Sequence, residues 1–179
     1  MAGNSGMVEV LIDSIRVSLM SQHRVVILKD ASSERFLSIW IGPYEAEAIT
    51  VSLQELEVSR PLTHDLLRNL VNSLGAEVKQ VNITELREDV FYAKILISAD
   101  GQELEIDSRP SDALALAVRV HVPIFVDEDV MNEAASAPEV EVGEDELEIE
   151  EGEERLEVFK DFVESLDLED IDPVEGDEE

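Results

Sequence analysis

From Ser111 to Val120 the chain reads Ser-Asp-Ala-Leu-Ala-Leu-Ala-Val-Arg-Val, a predicted helix that is apolar nearly all the way round. A helix with one apolar stripe lies on a surface, whereas one that is apolar on most sides has to be covered from more than one direction. The rest of the sequence must therefore supply layers around it, and strand and helix signals do alternate on either side. Strands are predicted at Val8–Ile12, Arg24–Leu28, Arg35–Ile41, Val78–Ile83, Val90–Ile97, Glu103–Asp107 and Pro123–Val126, from runs of β-branched and alternating residues. The polar stretch Asp30–Glu34 reads as a hairpin loop and Asp100-Gly101 as a tight turn. Gly42-Pro43 ends one strand and opens a helix with Ala46, Ile49, Leu53 and Leu56 inward. A second helix follows Pro61, with Leu66, Leu67, Leu70, Val71 and Leu74 as its apolar stripe and Gly75 as its stop. Hairpins mixed with crossovers indicate an α+β fold, a single domain with a mixed β-sheet and about three packed helices.

Charge sets the limits of that domain. Of 43 acidic residues and 13 basic ones, 22 acids and 2 bases lie in the last 49 residues. The expected organisation is a short extension at 1–6, a folded domain at 7–130 and an acidic tail at 131–179. Leu156, Phe159, Phe162, Val163 and Leu166 recur in that tail at helical spacing, giving a short amphipathic helix near 154–167. A net charge of -30 excludes gripping nucleic acid by bulk positive charge. The absence of cysteine excludes disulfides and thiol chemistry. No apolar run approaches the ~18 residues that span a bilayer, so a cytoplasmic protein with no membrane contact is expected.

Glu55-Leu56-Glu57-Val58-Ser59-Arg60-Pro61 is echoed by Glu103-Leu104-Glu105-Ile106-Asp107-Ser108-Arg109-Pro110, and each copy leads into a helix with an early aspartate, Asp65 or Asp112. A duplicated unit, or two helix starts that need one geometry, would produce this pattern. Together with Ile39-Trp40-Ile41-Gly42, Glu45-Ala46, Arg60-Pro61-Leu62-Thr63-His64-Asp65-Leu66 and Asp107-Ser108-Arg109-Pro110-Ser111-Asp112-Ala113-Leu114-Ala115-Leu116-Ala117, these residues resemble the bifunctional nuclease domain family over about Met7 to Val130. The resemblance implies an α+β domain, a homodimer or higher homo-oligomer, and nuclease activity on DNA and RNA.

The residues carry a chemical reading of their own. Phosphodiester hydrolysis needs an activated water and stabilisation of developing charge, commonly from Mg²⁺ or Mn²⁺ held by carboxylates beside a basic group. Asp107, Arg109, Ser111 and Asp112 gather at the start of the apolar helix, where free N–H groups favour an anion. In the functional reading Asp107 and Asp112 act in catalysis and hold a metal with Glu45 as a third carboxylate, while Arg109 and Ser111 bind the substrate. His64 is the candidate proton-transfer group, with Arg60 beside it on the substrate. The structural reading of the same residues is a serine cap, an aspartate complementing the helix dipole and an Asp107–Arg109 ion pair. It also gives His64, Asp65, Arg68 and Asn69 a solvated face, and Trp40 a place in the core. The alternative function is a non-catalytic oligomeric interaction or regulatory module with an acidic tail.

Overall fold

Side chains alternate inward and outward along Met7–Val17 (β1), with Val8 and Val10 buried and Glu9 and Leu11 exposed, as a half-covered strand requires. The computed structural model to which β1 belongs describes residues 6–17 and 23–137. The acidic tail from residue 138, with its helix near 154–167, and most of the extension at 1–6 lie outside the described residues. After β1 come Arg24–Asp30 (β2), Phe36–Ile41 (β3), Pro43–Leu53 (α1), Thr63–Ser73 (α2), Glu77–Arg87 (β4), Val90–Ala99 (β5) and Gln102–Ser108 (β6). Pro110–Val120 (α3), Ile124–Asp127 (β7), Glu128–Ala134 (α4) and Ala135–Ser136 (β8) complete the order. The β5–β6 turn is made by Asp100 and Gly101, both at positive φ, as a two-residue hairpin loop demands.

The strands form one mixed sheet in the order β6-β5-β4-β7-β1-β2-β3-β8. Two antiparallel meanders, β1-β2-β3 and β4-β5-β6, are joined through β7, which pairs antiparallel with β1 and parallel with β4. Each meander runs straight into a helix, so the chain uses a βββα order twice. In that frame Gly42-Pro43-Tyr44-Glu45-Ala46 corresponds to Arg109-Pro110-Ser111-Asp112-Ala113, with proline as the first helical residue in both. The Ser-Arg-Pro echo does not share this frame. Its second copy is a strand leading to α3, whereas Glu55–Arg60 is irregular connection.

The α3 helix is buried from all sides, as its composition requires: Ala113, Leu114, Ala115, Leu116 and Ala117 are at most 1% exposed. Helices α1 and α2 flank it, and strands β4 and β5 lie beneath it. Several expectations need correction. Of the stripe expected on α1, Ala46 and Ile49 are buried, whereas Leu53 is exposed at its end and Leu56 lies exposed beyond it. Leu66, Leu70 and Leu74 of α2 face solvent at 64%, 53% and 75% exposure, and only Leu67 and Val71 of the expected stripe pack against the core. Trp40 points outward and meets His23 edge-to-face, because alternation along β3 gives the inward positions to Leu37, Ile39 and Ile41. Ordered elements also continue past residue 130. Val130 and Met131 of α4 are core residues, and β8 pairs with β3.

One buried charge secures the junction between α4 and the β2–β3 turn. The Asp30 carboxylate accepts hydrogen bonds from Ser32 N and Oγ (2.8 Å each), Ser33 Oγ (2.6 Å) and Arg35 Nη2 (2.9 Å). Arg35 in turn reaches Glu128 of α4 at 2.9 Å. Burial alone would push the Asp30 carboxyl up, but the hydrogen bonds from Ser33, Ser32 and Arg35 outweigh it and hold it far below the ordinary carboxylate range. A depressed carboxyl pKa contributes stability above the unfolded-state value and loses it as pH falls through that value towards the folded one. Asp30→Asn is therefore expected to destabilise the protein by about 3 kcal/mol at neutral pH. In denaturant titrations, the gap to wild type should narrow below about pH 4, the ordinary carboxylate value.

Candidate active site at three helix N-termini

Helices α1, α2 and α3 each carry an acid at the third helical position, Glu45, Asp65 and Asp112. An acid there faces the free N–H groups and the positive end of the helix dipole. Asp65 serves its own helix: Oδ2 accepts from Leu62 N at 2.9 Å. Its Oδ1 accepts from Arg119 Nε at 3.0 Å. Arg119 is itself buried, donating from Nη1 to Ala115 O (2.6 Å) and from Nη2 to Ala48 O (2.9 Å). One guanidinium thus joins α1, α2 and α3, and it turns the polar side of the first turn of α2 inward. Burial would raise the Asp65 carboxyl, but the Leu62 N–H and the Arg119 charge hold it below its ordinary value.

This orientation buries His64, which the helical period assigns to a solvated face. Its Nε2 lies 3.2 Å from Asp112 Oδ1, while Nδ1 is buried without a hydrogen-bond partner. Arg109, the N-cap residue of α3, completes the cluster. Its Nε donates to Asp112 Oδ2 at 2.7 Å and its Nη2 to Asp112 Oδ1 at 3.1 Å. Nη2 also donates to Glu45 Oε1 at 3.0 Å. Hydrogen bonds from Arg109 and His64 overcome the effect of burial and hold the Asp112 carboxyl below its usual range, and the same pairing raises Arg109. Tyr44, Glu45, Glu47, His64, Arg109 and Asp112 line an open cleft of about 570 Å³ together with apolar residues that include Val51 and Val58.

Four of the seven candidates read from sequence are thereby brought together: Glu45, His64, Arg109 and Asp112. The other three stand apart. Arg60 is exposed in the connection before α2, outside the cleft. Asp107 is exposed on β6, in register with Lys94, and does not line the cleft. Ser111 is buried in the first turn of α3. The expected serine cap and Asp107–Arg109 pair are not formed. The N-cap is Arg109, with no side-chain cap bond, and its partners are Asp112 and Glu45.

A divalent metal fits this group poorly. Among the described residues no three His, Asp or Glu side chains stand where they could hold one ion. Glu45 and Asp112 instead share the Arg109 guanidinium, and Asp107 is not with them. Two further residues matter: Arg119, which the sequence reading did not single out, and Gly42, which it read only as a helix start. Arg119 was legible as the one charge beyond the first turn of an apolar helix, and such a charge has to be satisfied locally. Gly42 has a subtler signal, since a Cβ there would overlap the Glu45 carboxylate.

The bifunctional nuclease domain model matches residues 26–139. The chain belongs to the bifunctional nuclease domain family. An uncharacterized protein of Mycobacterium tuberculosis is 39% identical over 163 residues, covering 91% of this chain and 97% of its own length. Bifunctional nuclease 1 of Oryza sativa subsp. indica is 28% identical over 116 residues, or 63% of this chain, and the match covers 35% of the rice protein. Bifunctional nuclease 1 of Arabidopsis thaliana is 27% identical over 108 residues, with 33% of its length covered. This family domain therefore spans about a third of the plant proteins. No helix among the described residues is long and apolar enough to cross a membrane.

Arg119 should prove the structural anchor of the cleft. Arg119→Met leaves Asp65 without its cation and is expected to cost on the order of 3 kcal/mol in denaturant unfolding. The paired variant Arg119→Met with Asp65→Asn should cost less than the sum of the single changes. In both, the His64 ring signals in NMR should move as the first turn of α2 is released.

Proposed function

We propose that this chain is a nuclease that hydrolyses phosphodiester bonds of DNA and RNA in the cleft between the first turns of α1, α2 and α3. The observation that carries the reading is the convergence of a histidine, an aspartate and a partly open arginine on one cleft in a chain of the bifunctional nuclease domain family. Hydrolysis puts charge on the non-bridging oxygens and requires a proton for the leaving oxygen. Arg109 meets the first need. Nε and Nη2 are engaged by carboxylates, while Nη1 makes no protein hydrogen bond among the described residues and its side chain is 66% exposed. Three helix N-termini at the same place add positive potential where the phosphate would sit. His64 meets the second need through Nε2, the ring nitrogen facing Asp112. Donation requires the ring protonated on both nitrogens: the Nε2 proton passes from Asp112 to the leaving oxygen, the neutral Nδ1–H ring remains, and the attacking water gives up its proton to solvent. No step is assigned to a metal, because the carboxylates that would hold one are bound to Arg109.

The test is cleavage of single- and double-stranded DNA and of RNA by the full chain, with Mg²⁺, with Mn²⁺ and with chelator. His64→Asn is expected to lower the rate by a factor of 10² or more. Arg109→Lys should act chiefly on substrate binding, since an ammonium lacks the guanidinium fork. Full activity in both variants would remove the cleft from the chemistry, and a wild type that cleaves none of these substrates would favour the interaction-module reading.

Self-association is a second part of the proposal. The outward face of α2 shows Leu66, Leu70 and Leu74 at successive turns, while its one acid, Asp65, is turned towards Arg119. On a chain of net charge -30, a leucine face free of outward acid is where a second copy can approach without like-charge repulsion. A dimer is expected by light scattering at micromolar concentration, and Leu70→Glu should give a folded monomer. A wild-type monomer would contradict this assignment.

A further inference from the structure

Glu45 sits where a substrate oxygen would be expected. Arg109 has two forks: Nε with Nη2 on one side, and Nη1 with Nη2 at the end. Asp112 takes the first, with distances of 2.7 and 3.1 Å. The end fork keeps one prong, Nη1, without a protein hydrogen bond among the described residues, but the other, Nη2, is already held by Glu45 Oε1 at 3.0 Å. A phosphate approaching now can pair with Nη1 alone, whereas full bidentate contact needs Nη2 as well.

The position of Glu45 depends on Gly42. Glu45 is the third residue of α1 and its side chain curls back over the N-cap, which is Gly42. A Cβ built at position 42 would overlap Glu45 Oε2 and press on its carboxyl carbon at 3.1 Å. Gly42 has φ -69°, an ordinary value for any residue, so the glycine is needed for space rather than for backbone freedom. In the matching position of the second βββα unit stands Arg109 itself, and the acid of that unit, Asp112, turns to the same guanidinium.

We infer that Glu45 is a resident competitor for phosphate at the end fork of Arg109, and that Gly42 is the positioning residue that lets it lie there. This rests on the reading of the cleft as a phosphodiester site. Entry of a phosphate then exchanges one anion for another at Nη2, so only an anion that also pairs with Nη1 gains enough to displace Glu45. It also keeps Arg109 oriented when the cleft is empty.

The probe is inorganic phosphate, titrated by calorimetry into the full-length wild type, Glu45→Ala, Gly42→Ala and the double variant, with thermal melts to confirm folding. Glu45→Ala is expected to bind phosphate about tenfold more tightly, the scale of one charge-assisted hydrogen bond. Gly42→Ala should move affinity in the same direction with its melt unchanged, and the double variant should bind no more tightly than Glu45→Ala alone. Glu45→Ala with unchanged or weaker affinity would overturn the inference, as would additive effects of the two changes. If no variant takes up phosphate, the end fork is not an anion seat and the inference falls. The nuclease reading is judged separately, by whether Arg109→Lys and His64→Asn lose cleavage.

Discussion

A guanidinium inside an otherwise apolar helix is tolerable only when every surrounding group answers it, and the helical layer of this protein is built around that requirement. Arg119 meets a carbonyl of α1, a carbonyl of its own helix and the Asp65 carboxylate of α2. Replacing those bonds with water is not available to a side chain this buried, so the three helices have one mutual arrangement in which the charge is satisfied. That arrangement rolls α2 so that His64 faces Asp112 and the leucines face outward. The cleft and the exposed α2 face thus have the same origin.

The sheet contributes by repetition. Two meanders end in a short link and a proline-started helix, and β7 joins them side by side. The outcome brings Glu45 and Asp112, acids at equivalent helix positions, to one arginine. Two carboxylates and one guanidinium in contact leave the cluster without surplus positive charge, which distinguishes it from a nucleic-acid surface that works by counterion release. Under the proposed function, recognition there rests on geometry and on the helix N-termini instead. The strong acidity of the whole chain is compatible with such a site.

Much of the frame was legible. The apolar run at Ala113–Val118 required burial, Gly42-Pro43 marked a helix start, and Asp100-Gly101 marked a hairpin turn; all three are found. What failed was orientation. Leu66, Leu70 and Leu74 have helical spacing, and periodicity assigns such a stripe to the core, but the partner of α2 is chosen by the ion pair from Asp65 to Arg119, which no local pattern contains. For the same reason His64 looked solvated. Ala135 and Ser136 fall in the stretch assigned to the acidic tail, yet β8 gains its place by pairing with an open edge of β3. The Arg109 partners were misjudged because Asp107 is nearer in sequence than Glu45, while strand β6 carries Asp107 to an exposed position.

Under the proposed function, nucleic acid is held and cut at the first turns of α1, α2 and α3. This is tested most directly by NMR titration of the full chain with a phosphorothioate oligonucleotide that resists cleavage, following arginine Nε–H and histidine ring signals. Arg109 and His64 are expected to shift together and saturably, with Arg60 and His121 unaffected. Saturable binding that moves other residues and leaves Arg109 and His64 in place would contradict the proposed function.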